Sequence, residues 1–149
     1  MKGRHHRSAR WQAARDGLTL YLCVALGTAI GGVARALVSL AAIELAGPSF
    51  PWGTLAANVG GSFVIGFYAT LTTPGGRLFV GARQRHFVMT GICGGFTTFS
   101  VFSLETVRFA AGGDYRTAAL SVGISIVAWL AAVWLGHALA ARINRLRGA

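Results

Sequence analysis

Four apolar stretches, at residues 18–45, 52–73, 87–111 and 117–141, decide what this chain can fold into. Each reaches the about 20 residues that a helix needs to cross the hydrocarbon of a bilayer, and each is almost free of charge. Of the 149 residues 54% are hydrophobic and only 12% charged, a balance rare in a soluble domain of this length. The expected fold is an all-α membrane protein with four transmembrane helices. A basic tail covers residues 1–17, a four-helix transmembrane domain residues 18–141, and a second basic tail residues 142–149. The first stretch is too long for the apolar region of a cleaved leader and carries Arg35, so the mature chain is expected to keep it.

The formal net charge of +10 raises the question of nucleic acid, but the positions of the charges answer it differently. On one side of the four spans lie Lys2, Arg4, Arg7, Arg10, Arg15, Arg77, Arg83, Arg85, Arg142, Arg145 and Arg147, and on the other only Arg108 and Arg116. That distribution, 11 against 2, follows the positive-inside rule and puts both termini in the cytoplasm. The first sixteen residues read as a disordered basic tail at an anionic leaflet. His5 and His6 are an adjacent pair with no third ligand in sight, a weak metal signal. Cys23 and Cys93 fall inside spans without ligand spacing and read as small buried hydrophobes. Short loops around Gly47-Pro48, Pro74-Gly75-Gly76 and Gly112-Gly113 leave no room for a further domain, and no enzymatic activity is expected.

Small residues recur at helical spacing, Gly27 and Gly31 in the first span and Gly53, Ala57 and Gly61 in the second. Such faces let helix backbones approach closely, so a tight bundle or a dimer is expected. A chain this small also looks unable to enclose a solute pathway without a second subunit. Polar residues inside spans are costly and need a reason. Asn58, Ser62 and Gly66 share one stripe of the second span, and Thr117, Ser121 and Ser125 repeat that spacing in the fourth. Hydroxyls can bond the carbonyl four residues back, which makes the second stripe ambiguous. Asn58 has no such refuge and needs either a neighbouring helix or a passing solute, the latter being favoured. Arg35, 17 residues into the first stretch, either anchors the interface or snorkels to a watery vestibule where it gathers anions. Glu105 has no partner legible in the sequence.

The third span, GICGGFTTFSVFSLE at residues 91–105, is built to interrupt a helix. Gly94 and Gly95 weaken it, and Thr97 and Thr98 can bond locally in place of the helical ladder. Opening there would free the carbonyls of Gly94 and Thr97, and two symmetry-related copies would offer four oxygens to a small cation. Phe99 and Phe102, three apart, share a face just beyond. Alone they read more readily as packing residues, although aromatic edges can also meet an anion.

In combination with GGVARA at residues 31–36 and WGTLAANVGGSFVIG at residues 52–66, that segment resembles the CrcB/Fluc fluoride channels. The resemblance extends over all four spans. It implies two four-helix subunits inserted antiparallel, two narrow fluoride pathways, and a structural sodium ion at the broken third helices. By motif match, the carbonyls of Gly94 and Thr97 would ligate sodium, and Phe99 and Phe102 would form an aromatic box. Asn58 would donate its amide to fluoride, Arg35 would stand at the aqueous vestibule, and Ser100 and Ser103 would contribute to a polar track with the Thr117, Ser121 and Ser125 stripe. Fluoride is tightly hydrated, so a selective pore must replace its water with amide, hydroxyl and ring-edge donors. Passive export of fluoride across the plasma membrane is the implied activity, with lipid and the ion itself as partners.

Two departures stand out. Val101 occupies the place where the family commonly has Thr between the rings, so this position offers no hydroxyl to the polar track. The biased basic residues also sit poorly with insertion in both orientations, and leave a heterodimer with an inverted related chain as the other arrangement. A small multidrug-type proton-coupled transporter, the rival function, needs a membrane-embedded carboxylate, and the first span offers only Glu44 at its end. A scaffold without transport would account for the glycines but not for Asn58 beside an FxxF after a break. If the chain inserts both ways, a terminal cysteine will label from both faces of the membrane; single-sided labelling of the chain expressed alone would exclude dual insertion.

Overall fold

A computed structural model describes the backbone of residues 2–146 and, apart from residues 2–10, 13 and 14, their side chains. Every regular element among the described residues is a helix, with no strand. α1 runs over Lys2–Ala46 and α2 over Trp52–Leu71. The third span is segmented: α3 (Ala82–His86), a π-helical segment (Phe87–Cys93), the short turn α4 (Gly94–Phe96) and α5 (Phe99–Ala111). α6 (Tyr115–Arg145) completes four spans long and apolar enough to cross a membrane. The three loops fall where glycines allow the chain to turn, at Gly47, Gly75 and Gly113, with φ of 74°, 83° and 83°.

The first basic segment departs from its reading as a disordered tail. Its backbone is helical from Lys2 and continues unbroken into the first span. The physical reason is that SARWQAAR is made largely of good helix formers, and extending an existing helix avoids the cost of nucleating a new one. At 1.5 Å per residue the 45 residues of α1 measure about 68 Å, over twice the hydrocarbon thickness. Residues 142–145 likewise form the end of α6 rather than a separate tail, while residues 147–149 and the side chains of His5 and His6 lie outside the described residues.

Two glycine seams hold the bundle. α1 packs along the third span, where a Cβ on Gly27 would stand 2.7 Å from the Phe87 carbonyl oxygen and one on Gly31 would strike the Ile92 carbonyl. α2 packs along α6, where Gly66 lies against the Val133 carbonyl and Gly136 against that of Phe63. These are backbone-to-backbone contacts that no larger residue could share. At the basic end, Asn144 of α6 donates to the Thr70 carbonyl at 2.9 Å and accepts the Arg77 N–H at 2.9 Å, tying the second loop to the helix end. Asp16 meets Arg83 there at 3.9 Å, an exposed pair of little energetic weight.

Gly136→Val should therefore lower the thermal unfolding midpoint in detergent, by overpacking worth about 1–3 kcal/mol. Gly123→Ala, at a position where an added Cβ meets nothing within 4 Å, should leave the midpoint unchanged or slightly raised.

Candidate functional site

The candidate site begins where the third span stops being a helix. Thr97 (φ −83°, ψ 157°) and Thr98 (φ −151°, ψ 126°) are extended, and they separate α4 from α5. The preceding glycines remain helical. Gly95 is held there by contact with α1, since its Cβ would run into the Thr28 carbonyl. The interruption falls instead on two β-branched hydroxyl residues, which compete with the helical ladder through their own side chains.

The polar groups of Thr98 can be followed. In a continuous helix the Thr98 N–H would bond the Gly94 carbonyl, and the Val101 N–H would bond that of Thr97. Here the Thr98 N–H donates to Asn58 Oδ1 at 2.7 Å, and the Val101 N–H donates to Thr98 Oγ1 at 3.1 Å, capping α5. The two carbonyls that lose these helical partners belong to Gly94 and Thr97. Gly94 is exposed on the surface of the chain, with room around its Cα. Thr97 turns its own hydroxyl back to the Cys93 carbonyl at 2.9 Å and lays its methyl group on Gly61 of α2.

Asn58, 5% exposed, also donates its Nδ2–H to the Thr98 carbonyl at 2.8 Å. The amide thus pairs with both backbone groups of Thr98, as a neighbouring strand would. One hydrogen of its NH2 is committed to that carbonyl, and the second can serve another acceptor. Arg35 reaches the same region from α1, its Nε donating to the Gly95 carbonyl at 3.4 Å.

The rings follow immediately. Phe99 and Phe102 lie 5.6 Å apart between centroids, tilted by 49°, on the first turn of α5. Phe99 is 71% exposed, whereas Phe102 is 7% exposed and meets Trp129 of α6 edge-on at 4.9 Å. A groove of about 230 Å³ is lined by Asn58, Ser62, Thr97, Thr98, Phe99 and Trp129, along with Ile65. Ser100 Oγ shares a hydrogen bond of 3.2 Å with Thr98 Oγ1, and Ser103 Oγ donates to the Phe99 carbonyl at 2.9 Å.

The fourth-span stripe divides. Ser121 and Ser125 are buried, at 0% and 2% exposure, and Ser121 Oγ has no partner among the described residues. Thr117 stands apart at the start of α6, where its N–H donates to Asp114 Oδ1 at 3.0 Å. Hydrogen bonds from Thr117, side chain first and then backbone, hold the Asp114 carboxyl below its usual range. That stabilises the helix start at neutral pH and is lost as pH falls through the lowered pKa. The sequence reading had no role for Trp129. Its signal was spacing, for it continues Ser121 and Ser125 at i+4 and carries an N–H that seeks a partner when buried. Glu105 lines a separate cavity of about 420 Å³ with Ser39, Trp52, Thr54 and Arg108, and its Oε2 is buried without a partner among the described residues.

Asn58→Leu should unpair both backbone groups of Thr98 and lower unfolding stability in detergent by about 1–3 kcal/mol or more. Stability equal to the parent would show that the clamp carries no energy.

Known proteins resemble this chain over nearly its whole length. The family described as CrcB-like protein, Camphor Resistance (CrcB), matches residues 22–137. A protein of Rhodopseudomonas palustris named fluoride-specific ion channel FluC 1 is 57% identical over 134 residues, 90% of this chain and 95% of that one. The fluoride-specific ion channel FluC of Opitutus terrae is 54% identical over 88% of this chain and 99% of its own length. FluC 1 of Bradyrhizobium diazoefficiens is 51% identical over 93% of each chain. With four helices long and apolar enough to cross a membrane and a matched region that reaches into each of them, the chain is a multi-pass membrane protein and belongs to the CrcB family.

Proposed function

We propose that this protein is a fluoride-selective channel that lets fluoride leave the cytoplasm passively. The observation that carries the reading is the interruption at Thr97–Thr98, set beside a groove that gathers Asn58, Ser62, Thr98 and Phe99. The names of relatives more than half identical support the same ion. A small anion must exchange its water for donors as it enters a pore. The uncommitted N–H of Asn58, the hydroxyls around Thr98 and Ser100, and the positive edges of Phe99 and Phe102 are such donors, and none is a full charge that would trap the ion. Arg35 lies close enough to the interruption to raise the local anion concentration. Fluoride that enters as HF and dissociates in a more alkaline cytoplasm would leave by this route.

The working unit is an antiparallel pair of subunits in the plasma membrane, formed by two copies or by this chain and an inverted relative. Support comes from the exposure of Gly94 and of the Phe99 ring on the surface of the single chain. A pair would bring together two copies of the Gly94 and Thr97 carbonyls. These oxygens, deprived of their helical donors, suit a hard monovalent cation such as sodium, which would tie the two interruptions together.

In liposomes loaded with fluoride or chloride, the reconstituted protein should release fluoride rapidly and retain chloride. Phe99→Ile and Asn58→Asp should each cut fluoride efflux at least tenfold, the size of effect that loss of one interaction with a charged ion carries. Undiminished efflux in both variants would remove these residues from the pathway, and equal release of chloride would reject fluoride selectivity.

A further inference from the structure

We propose that the indole N–H of Trp129 is a further hydrogen-bond donor to the permeating anion, beside Asn58; the inference rests on the fluoride-channel reading and adds a residue to it. Three observations converge on this side chain. Trp129 lines the groove that holds Asn58, Thr98 and Phe99. Its Nε1 is buried and has no partner among the described residues, which is uncommon for a Trp packed inside a protein. It also follows Ser121 and Ser125 at i+4, so α6 presents a hydroxyl, a hydroxyl and an indole along one face.

The chemistry of the group suits an anion. The indole N–H is a donor with no acceptor, so at its edge it can meet an anion or a carbonyl but not another N–H. Asn58 has already committed one amide hydrogen to the Thr98 carbonyl, so the groove needs donors from elsewhere to replace the water around a small, tightly hydrated ion. The edge-on contact with Phe102, at 4.9 Å and 73°, holds the indole next to the second ring. Within one site an anion would then meet an amide, a ring edge and an indole N–H, each from a different helix.

Trp129→Phe keeps an aromatic ring against Phe102 and deletes the donor. In the liposome assay its fluoride efflux should fall about tenfold, while Trp134→Phe, at a 64% exposed position, should match the parent. Efflux of Trp129→Phe within twofold of the parent would overturn the proposal. A role confined to bracing Phe102 is separated by spectroscopy, in a chain with Trp11, Trp52 and Trp134 changed to Phe. Its near-ultraviolet indole band should shift to the red with fluoride, saturably, and not with chloride; no shift would overturn the proposal even if Trp129→Phe fails to fold. Failure of the underlying reading looks different: the parent protein would then not release fluoride, or Asn58→Asp would leave release intact.

Discussion

The two hydrogen bonds between the Asn58 amide and the backbone of Thr98 are the contact on which the rest of the structure depends. A membrane helix that opens exposes N–H and C=O groups to a medium that cannot solvate them, so an opening persists only where protein or water satisfies those groups. A carboxamide is the side chain whose donor and acceptor match a peptide unit, and Asn58 meets both groups of Thr98 within 2.8 Å. Because this pairing takes the Thr98 N–H, the Gly94 carbonyl loses its helical partner. Because the Thr98 hydroxyl takes the Val101 N–H, that of Thr97 does too. Two exchanges of partner on Thr98, one at its N–H and one at its hydroxyl, thus separate α4 from α5 and cap the helix that carries Phe99 and Phe102.

Those exchanges need α2, α6 and the third span held in fixed register, and the glycine seams supply it. Close approach along Gly27, Gly31, Gly91 and Gly95 fixes α1 against the helical part of the third span that precedes the interruption at Thr97 and Thr98. The α2–α6 seam, with Gly66 and Gly136 against opposing carbonyls, brings Trp129 to the wall of the groove that Asn58 lines. The chain has two asparagines and uses both alike: Asn144 bridges the Thr70 carbonyl and the Arg77 N–H at the basic end, as Asn58 bridges Thr98 within the bundle. In each case a short amide, stiff and able to donate and accept at once, stands in for missing backbone.

Much of this was legible in the residues themselves. Runs of apolar side chains longer than the bilayer is thick leave few alternatives to four helices, and glycine or proline at each gap marks the loops. The weakness of the third span could be read because Thr residues after a glycine pair compete locally with a helix, without help from distant parts of the chain. Charge was less dependable as a guide to order. The basic residues before the first span suggested a disordered tail, yet helix propagation from α1 takes in that segment, since elongation is far easier than nucleation.

What the sequence by itself determined is therefore the set of local and compositional facts: the number of spans, their loops, the interruption-prone segment and the presence of an amide that must find a partner. Only the tertiary structure decided who meets whom. It paired Asn58 with Thr98, forty residues away, sent Arg35 to the Gly95 carbonyl, and assigned Thr117 to the Asp114 cap while leaving Ser121 buried in the bundle. It also brought Trp129 to the groove. The physical reason is range: helix propensity and hydropathy act over a few neighbouring residues, whereas the partner of a buried polar group is set by which helix faces pack together, and that depends on the whole bundle at once.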